Sequence, residues 1–291
     1  MIYLAISIFL FNILVILFKL FEKYNINNLQ ALLVNYIVST LLAFYFIEDT
    51  INIKNIIESE WIYHSIFIGI LFISIFNIYA LCVQKVGITV TSVINKMSFI
   101  IPVIASIILY KGESFSLSIL IGIVLVLIGI YFSSTNNSSF KFNNKYIWLI
   151  AIIFFGQGLV DIILNDSKFY IKKDETMLFF LMLFISASIT GLIILSFQYK
   201  FRKVSIKLKN LIWGIIFGIP NFYSILYFLK ALQSSEFINK TSLILPLNSV
   251  GVVVSTTLVG VIIYKEILTR RNVVGILISM LSILVIYYNV I

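Results

Sequence analysis

Residues 98–132 read SFIIPVIASIILYKGESFSLSILIGIVLVLIGIYF, two apolar stretches on either side of the turn Lys111-Gly112-Glu113-Ser114. Followed upstream, the first stretch begins near residue 88; the second runs to about 133. Each is then about 20 residues long, the length of helix that crosses the hydrocarbon core of a bilayer. Neither alternates every second residue, as a barrel strand must. Lipid offers backbone N–H and C=O groups no partner, so the spacing predicts a membrane-spanning helical hairpin.

The same reading extends to both ends of the chain. Ten apolar runs lie near residues 2–21, 29–47, 61–83, 88–110, 115–133, 146–165, 176–197, 210–232, 238–263 and 270–290. Of the 291 residues 61% are apolar and 11% charged, with a mean hydropathy of +1.09. A soluble domain carries roughly 25% charged residues. The expected fold is an all-α membrane protein with ten transmembrane helices. The first run lacks a basic leading segment and a small-residue cleavage site, so it is expected to stay as helix one.

Composition also excludes chemistry. The lone Cys82 and lone His64 leave no disulfide framework, thiolate cage or Ser/His/Asp set. No Gly-rich nucleotide loop is present, so no cofactor is expected and ATP-driven transport by this chain alone is disfavoured. The net charge of +9 comes from basic residues scattered through short loops without aromatic platforms. That pattern suits lipid headgroups and excludes nucleic acid as a partner.

The chain repeats itself. A shift of 153 superposes Asn95 on Asn248, Glu113 on Glu266 and Gly122 on Gly275. A shift of 145 sets Asn12 opposite Gln157; 149 pairs Gln84 with Gln233; 144 pairs Asn77 and Tyr79 with Asn221 and Tyr223. Five helices per copy is odd, so the second copy enters from the opposite side, an inverted repeat of residues 1–134 and 145–291. Rocking of two such halves gives alternating access.

The stretch Ser98–Phe132, with Pro102 inside a helix, Gly112-Glu113 at the turn, and Gly122 and Gly129 beyond it, resembles the recurring unit of the EamA-type drug/metabolite transporters. Pro246–Tyr288, with Glu266 and Gly275, is similar but has Lys265 where the family's glycine would stand. The resemblance implies two inverted five-helix halves around a central cavity in a bacterial inner membrane, exporting small metabolites. It also implies cytoplasmic termini. That arrangement leaves about seven Lys and Arg on the cytoplasmic side and about 13 opposite, against the positive-inside bias. The family arrangement is nonetheless the expectation.

Polar residues at membrane depth mark the candidate site, because a charge near the bilayer centre costs about 2.5 to 3.5 kcal/mol even on a lenient scale. Lys96 and Asp161 are the two clear charges. Ser92, Asn95, Lys96 and Phe99 share a helix face, as do Gln157, Asp161 and Asn165. Asn12, Asn77, Tyr79, Asn221, Tyr223 and Asn248 complete the set of substrate-binding candidates. Lys96 would select an anionic or zwitterionic solute, and Asp161 could pair with it or accept a coupling proton. Interhelical glue is the competing role for each asparagine.

Glu113 and Glu266 are expected to cap the helices that follow them rather than to couple protons. Pro102, Pro220 and Pro246 are hinge candidates. Trp61, Trp148 and Trp213 are expected at the membrane interface. The function expected is secondary transport of a small polar metabolite by a monomer or homodimer. A flippase for a lipid-linked substrate is the alternative, and an enzyme is the weakest reading.

Overall fold

The computed structural model describes residues 2–47, 53–98, 100–109, 121–122, 124–125, 128–129, 132, 146–167, 170–172, 174–202, 205–232 and 241–290. Every regular element among them is a helix: α1 (Ile2–Lys23), α2 (Asn28–Tyr45), α3 (Ile53–Ile57), α4 (Ile62–Lys85), α5 (Ile88–Met97), α6 (Ile100–Leu109), α7 (Ile147–Ser167), α8 (Thr176–Arg202), α9 (Leu208–Leu232), α10 (Thr241–Ile262) and α11 (Arg270–Val290). Six of them, α1, α2, α4, α7, α8 and α9, are long and apolar enough to cross a membrane. The fifth apolar run is helical at the positions described, including Gly122 and Gly129. The turn Lys111–Ser114, and with it the expected role of Glu113, lies outside the described residues.

Two departures from the sequence reading matter. The short helix α3 was not expected. The run 88–110, expected as one helix, is two: α5 ends at Met97 and α6 begins at Ile100. Pro102 explains the division. It is the third residue of α6, where a missing N–H is tolerated; inside a continuous helix its ring would crowd the carbonyl of Ser98. Ser98 closes the break locally, its Oγ donating to Asn95 O at 2.5 Å and its carbonyl accepting from Ile101 N at 2.9 Å. Pro220, by contrast, lies within an uninterrupted α9.

Sequence-local signals start the helices. Asn27 accepts the Gln30 N–H at 3.1 Å, capping α2. Thr269 and Asn272 cap α11 reciprocally, Thr269 N donating to Asn272 Oδ1 at 2.9 Å and Asn272 N to Thr269 Oγ1 at 3.2 Å. Gly87, at φ +115°, makes the turn between α4 and α5, a backbone setting that favours glycine.

Long-range contacts sort the helix termini into two ends. At one, which we name the Glu266 end, Lys85 of α4 pairs with Glu22 of α1 at 3.4 Å, and Lys209 Nζ donates to Tyr24 O at 3.0 Å. Gln30 Nε2 donates there to Ser205 O at 3.0 Å, and Asn210 Nδ2 donates back to Gln30 Oε1 at 2.6 Å. At the other, the His64 end, His64 Nε2 lies 2.9 Å from Asp166 Oδ2, and Trp61 Nε1 donates to Glu175 Oε2 at 3.1 Å. Tyr3 of α1 stacks on Tyr227 of α9 at 6.1 Å. Trp61 is therefore not an interface anchor: it is 1% exposed and bolts α4 to the start of α8. Trp148 is exposed, and Trp213 stacks on Tyr24 at 5.3 Å.

Helices α2 and α9 pack closely. A methyl group on Gly214 would sit 2.5 Å from Ala31 O, and one on Gly218 would sit 2.9 Å from Val38 Cβ. These small residues, four apart, let the backbones approach, which is how helices gain packing energy in lipid.

Candidate functional site

The break in the fourth run places Lys96 in the last turn of α5, deep in the bundle. Helix C-terminal carbonyls favour a cation there. Its ammonium lies over the ring of Phe11 of α1, 5.2 Å from the centroid, a cation–π contact. The same face of α5 carries Asn95, whose Nδ2 donates to Gln157 Oε1 of α7 at 3.2 Å. Gln157 Nε2 donates in turn to Asp161 Oδ1 at 2.9 Å. A polar chain thus runs from α5 along one face of α7, ending in a carboxylate.

None of the ion pairs among the described residues joins Lys96 to Asp161. Both are half-buried, as is Gln157; Asn95 is 8% exposed. Two opposite charges held apart among polar neighbours differ from a packing salt bridge, which closes to contact to offset its desolvation.

Around this core, Tyr79 OH of α4 lies 3.2 Å from Ser92 Oγ of α5. The Tyr79 ring meets Phe11 edge-on at 6.4 Å and Phe18 at 5.8 Å, and Phe18 packs on Phe217 of α9 at 4.7 Å. Asn12, next to Phe11, donates from Nδ2 to Ile8 O at 2.7 Å and to Ser255 Oγ of α10 at 2.8 Å. Its Oδ1 is buried with no partner among the described residues.

Of the expected residues, Asn95, Gln157 and Asp161 are linked by hydrogen bonds, Lys96 sits beside them over Phe11, Tyr79 and Asn12 adjoin through Ser92 and Phe11, and four stand apart. The side chains of Asn77, Asn221, Tyr223 and Asn248 make no hydrogen bond with described residues. Tyr223 packs towards the His64 end, against Phe222 at 5.5 Å and Phe46 at 6.4 Å. Asn221 is 2% exposed in α9; Asn77 and Asn248 are half-buried in α4 and α10. The side chain of Asn165 lies outside the described residues.

Phe11 carried no signal in a chain with 26 phenylalanines, although its neighbour Asn12 did. The other missed feature is the target of Glu266. Rather than capping α11, which Thr269 and Asn272 serve, it reaches the start of α5: Ile88 N donates to Oε1 at 2.7 Å, and Thr89 N and Oγ1 donate to Oε2 at 3.2 and 2.8 Å. The capping chemistry is as expected; the helix is a different one. Lys265, at φ +52°, occupies the left-handed conformation that a glycine would hold without strain.

Lys96 and Asp161 thus stand, partly buried, inside a bundle of apolar helices, with Asn95 and Gln157 between them. Residues 1–135 match the EamA-like transporter family. That match and six membrane-compatible helices among the described residues support a multi-pass membrane protein. A Haemophilus influenzae protein described as an uncharacterized protein is 28% identical over 282 residues, covering 94% of this chain and 93% of its own.

Proposed function

We propose that this protein is a secondary transporter of the bacterial inner membrane, exporting a small anionic or zwitterionic metabolite such as an amino acid by alternating access. The observation that carries the reading is Lys96: an ammonium deep in the bundle, held over an aromatic ring and with no carboxylate in contact among the described residues. An ammonium at membrane depth is retained where it meets a cavity or a partner. A solute carboxylate would complete it. Asp161, 2.9 Å from Gln157, would face the solute's ammonium or take up the coupling proton. Asn95 and the open acceptor of Asn12 would orient the polar end. Phe11 and Tyr79 would cover an apolar one.

Helix directions support two inverted halves, 1–134 and 145–291. Contacts at the two ends make α1 and α7 run in opposite senses, and likewise α2 and α8, α4 and α9, and α5 and α10. Those are the pairs that an inverted repeat relates. The polar chain bridges the copies, Asn95 and Lys96 from one and Gln157 and Asp161 from the other.

Reconstituted vesicles test the reading. A panel of amino acids, amines and sugars is offered with and without a pH gradient, to wild type and to Lys96→Met. Saturable transport of a carboxylate-bearing solute by wild type, lost in Lys96→Met at equal incorporation, is expected. Equal transport by the two proteins would remove Lys96 from the mechanism.

A further inference from the structure

The two ends of the bundle differ sharply in charge. Among the described residues the Glu266 end carries ten lysines and arginines and two carboxylates, whereas the His64 end carries three and five. The two carboxylates at the basic end are already engaged, Glu22 by Lys19 at 3.6 Å and Lys85 at 3.4 Å, and Glu266 by the α5 N-terminus. Most of the positive charge there is uncompensated. Lys23, Lys200, Lys207, Lys209, Lys265 and Arg271 are exposed, drawn from four separate helix termini and the loop after α10, so the basic groups form a rim around the end. Exposed aromatics, among them Tyr24, Trp148, Tyr199 and Phe201, lie at the same end, where a headgroup layer would meet them.

We infer that the Glu266 end is the cytoplasmic end, its basic rim seated among anionic lipid headgroups, and that Ile2 and Val290 lie at the opposite face. This reverses the orientation expected from the family resemblance, and it does not rest on the transport reading. Loops this short obey the charge bias, because translocating lysine and arginine is disfavoured while acidic residues count for little. The anionic cytoplasmic leaflet adds direct attraction for residues within a Debye length of it.

Sided cysteine labelling in cells decides the matter. In a Cys82→Ser background, Ser205→Cys marks the basic end and Glu60→Cys the acidic end; both positions are exposed. Because Cys82 is buried and free, the same two substitutions in the otherwise unaltered chain give a second measurement if Cys82→Ser fails to accumulate. With a membrane-impermeant maleimide, Glu60→Cys is expected to label fully in intact cells and Ser205→Cys only after permeabilisation. The reverse pattern, or equal labelling of both in intact cells, would overturn the inference. Replacing Lys200, Arg202, Lys207 and Lys209 together by Gln is expected to raise labelling of Ser205→Cys in intact cells severalfold. No change would overturn the role given to the basic rim.

Discussion

In the proposed mechanism transport turns on Lys96 and Asp161, and substitution of each is expected to impair it in its own way. Lys96→Met keeps the length and apolar stem of the side chain while deleting the charge over Phe11. Transport in vesicles is expected to fall at least about tenfold, the loss of a single charge-assisted hydrogen bond of about 1.5 to 3 kcal/mol, with the yield in the membrane unchanged. Asp161→Asn keeps an acceptor for Gln157 but cannot exchange a proton. Transport by it is expected to lose its response to an imposed pH gradient, and a retained response would exclude Asp161 as the proton site. Both charges were legible in the sequence because ionised groups inside apolar runs are rare. Phe11 was not, since nothing in its local pattern separates it from the other aromatic residues of α1. Asn77, Asn221, Tyr223 and Asn248 show the converse, since a polar residue at membrane depth does not of itself reveal which neighbours it meets.

The helices themselves were read from run length and hydropathy, and the deviations have local causes. Pro102 divides the fourth run because a proline fits the first turn of α6 better than the middle of a longer helix. The proline was visible in the sequence; whether it would kink or divide the helix was decided by the polar Ser98, which closes the break. Glu266 was read as a cap, but its helix could not be known, because residues 88 and 266 approach only through packing. Glu266→Ala leaves the N–H groups of Ile88 and Thr89 without their partner. A loss of about 1 to 3 kcal/mol is expected, seen as a lower thermal midpoint in detergent. Gly218→Val is expected to destabilise to a similar degree, about 1 to 3 kcal/mol, by driving a side chain into Val38 where α2 and α9 meet. An unchanged midpoint for it would mean that the two helices do not pack as closely as described.

At the scale of the whole molecule, polar groups from α1, α4, α5, α7 and α10 converge between helices drawn from both the first and the second half of the chain. The offsets 153, 145, 149 and 144 are what point to a duplication, and the odd helix number to its inversion, in the reading proposed above. Neither could say that Asn95 would reach Gln157, which needs the copies docked face to face. The charge contrast between the two ends was countable from the sequence, but the engagement of Glu22 and Glu266, which leaves the basic end uncompensated, was not. The central claim is that the ammonium of Lys96 occupies a wet centre reached in turn from both faces. Lys96→Cys, in the Cys82→Ser background and in sealed vesicles of known orientation, measures this through its reaction with a small membrane-impermeant thiosulfonate applied to one face at a time. Modification from either face is the predicted result; no modification from either, or modification from one face alone, would contradict it.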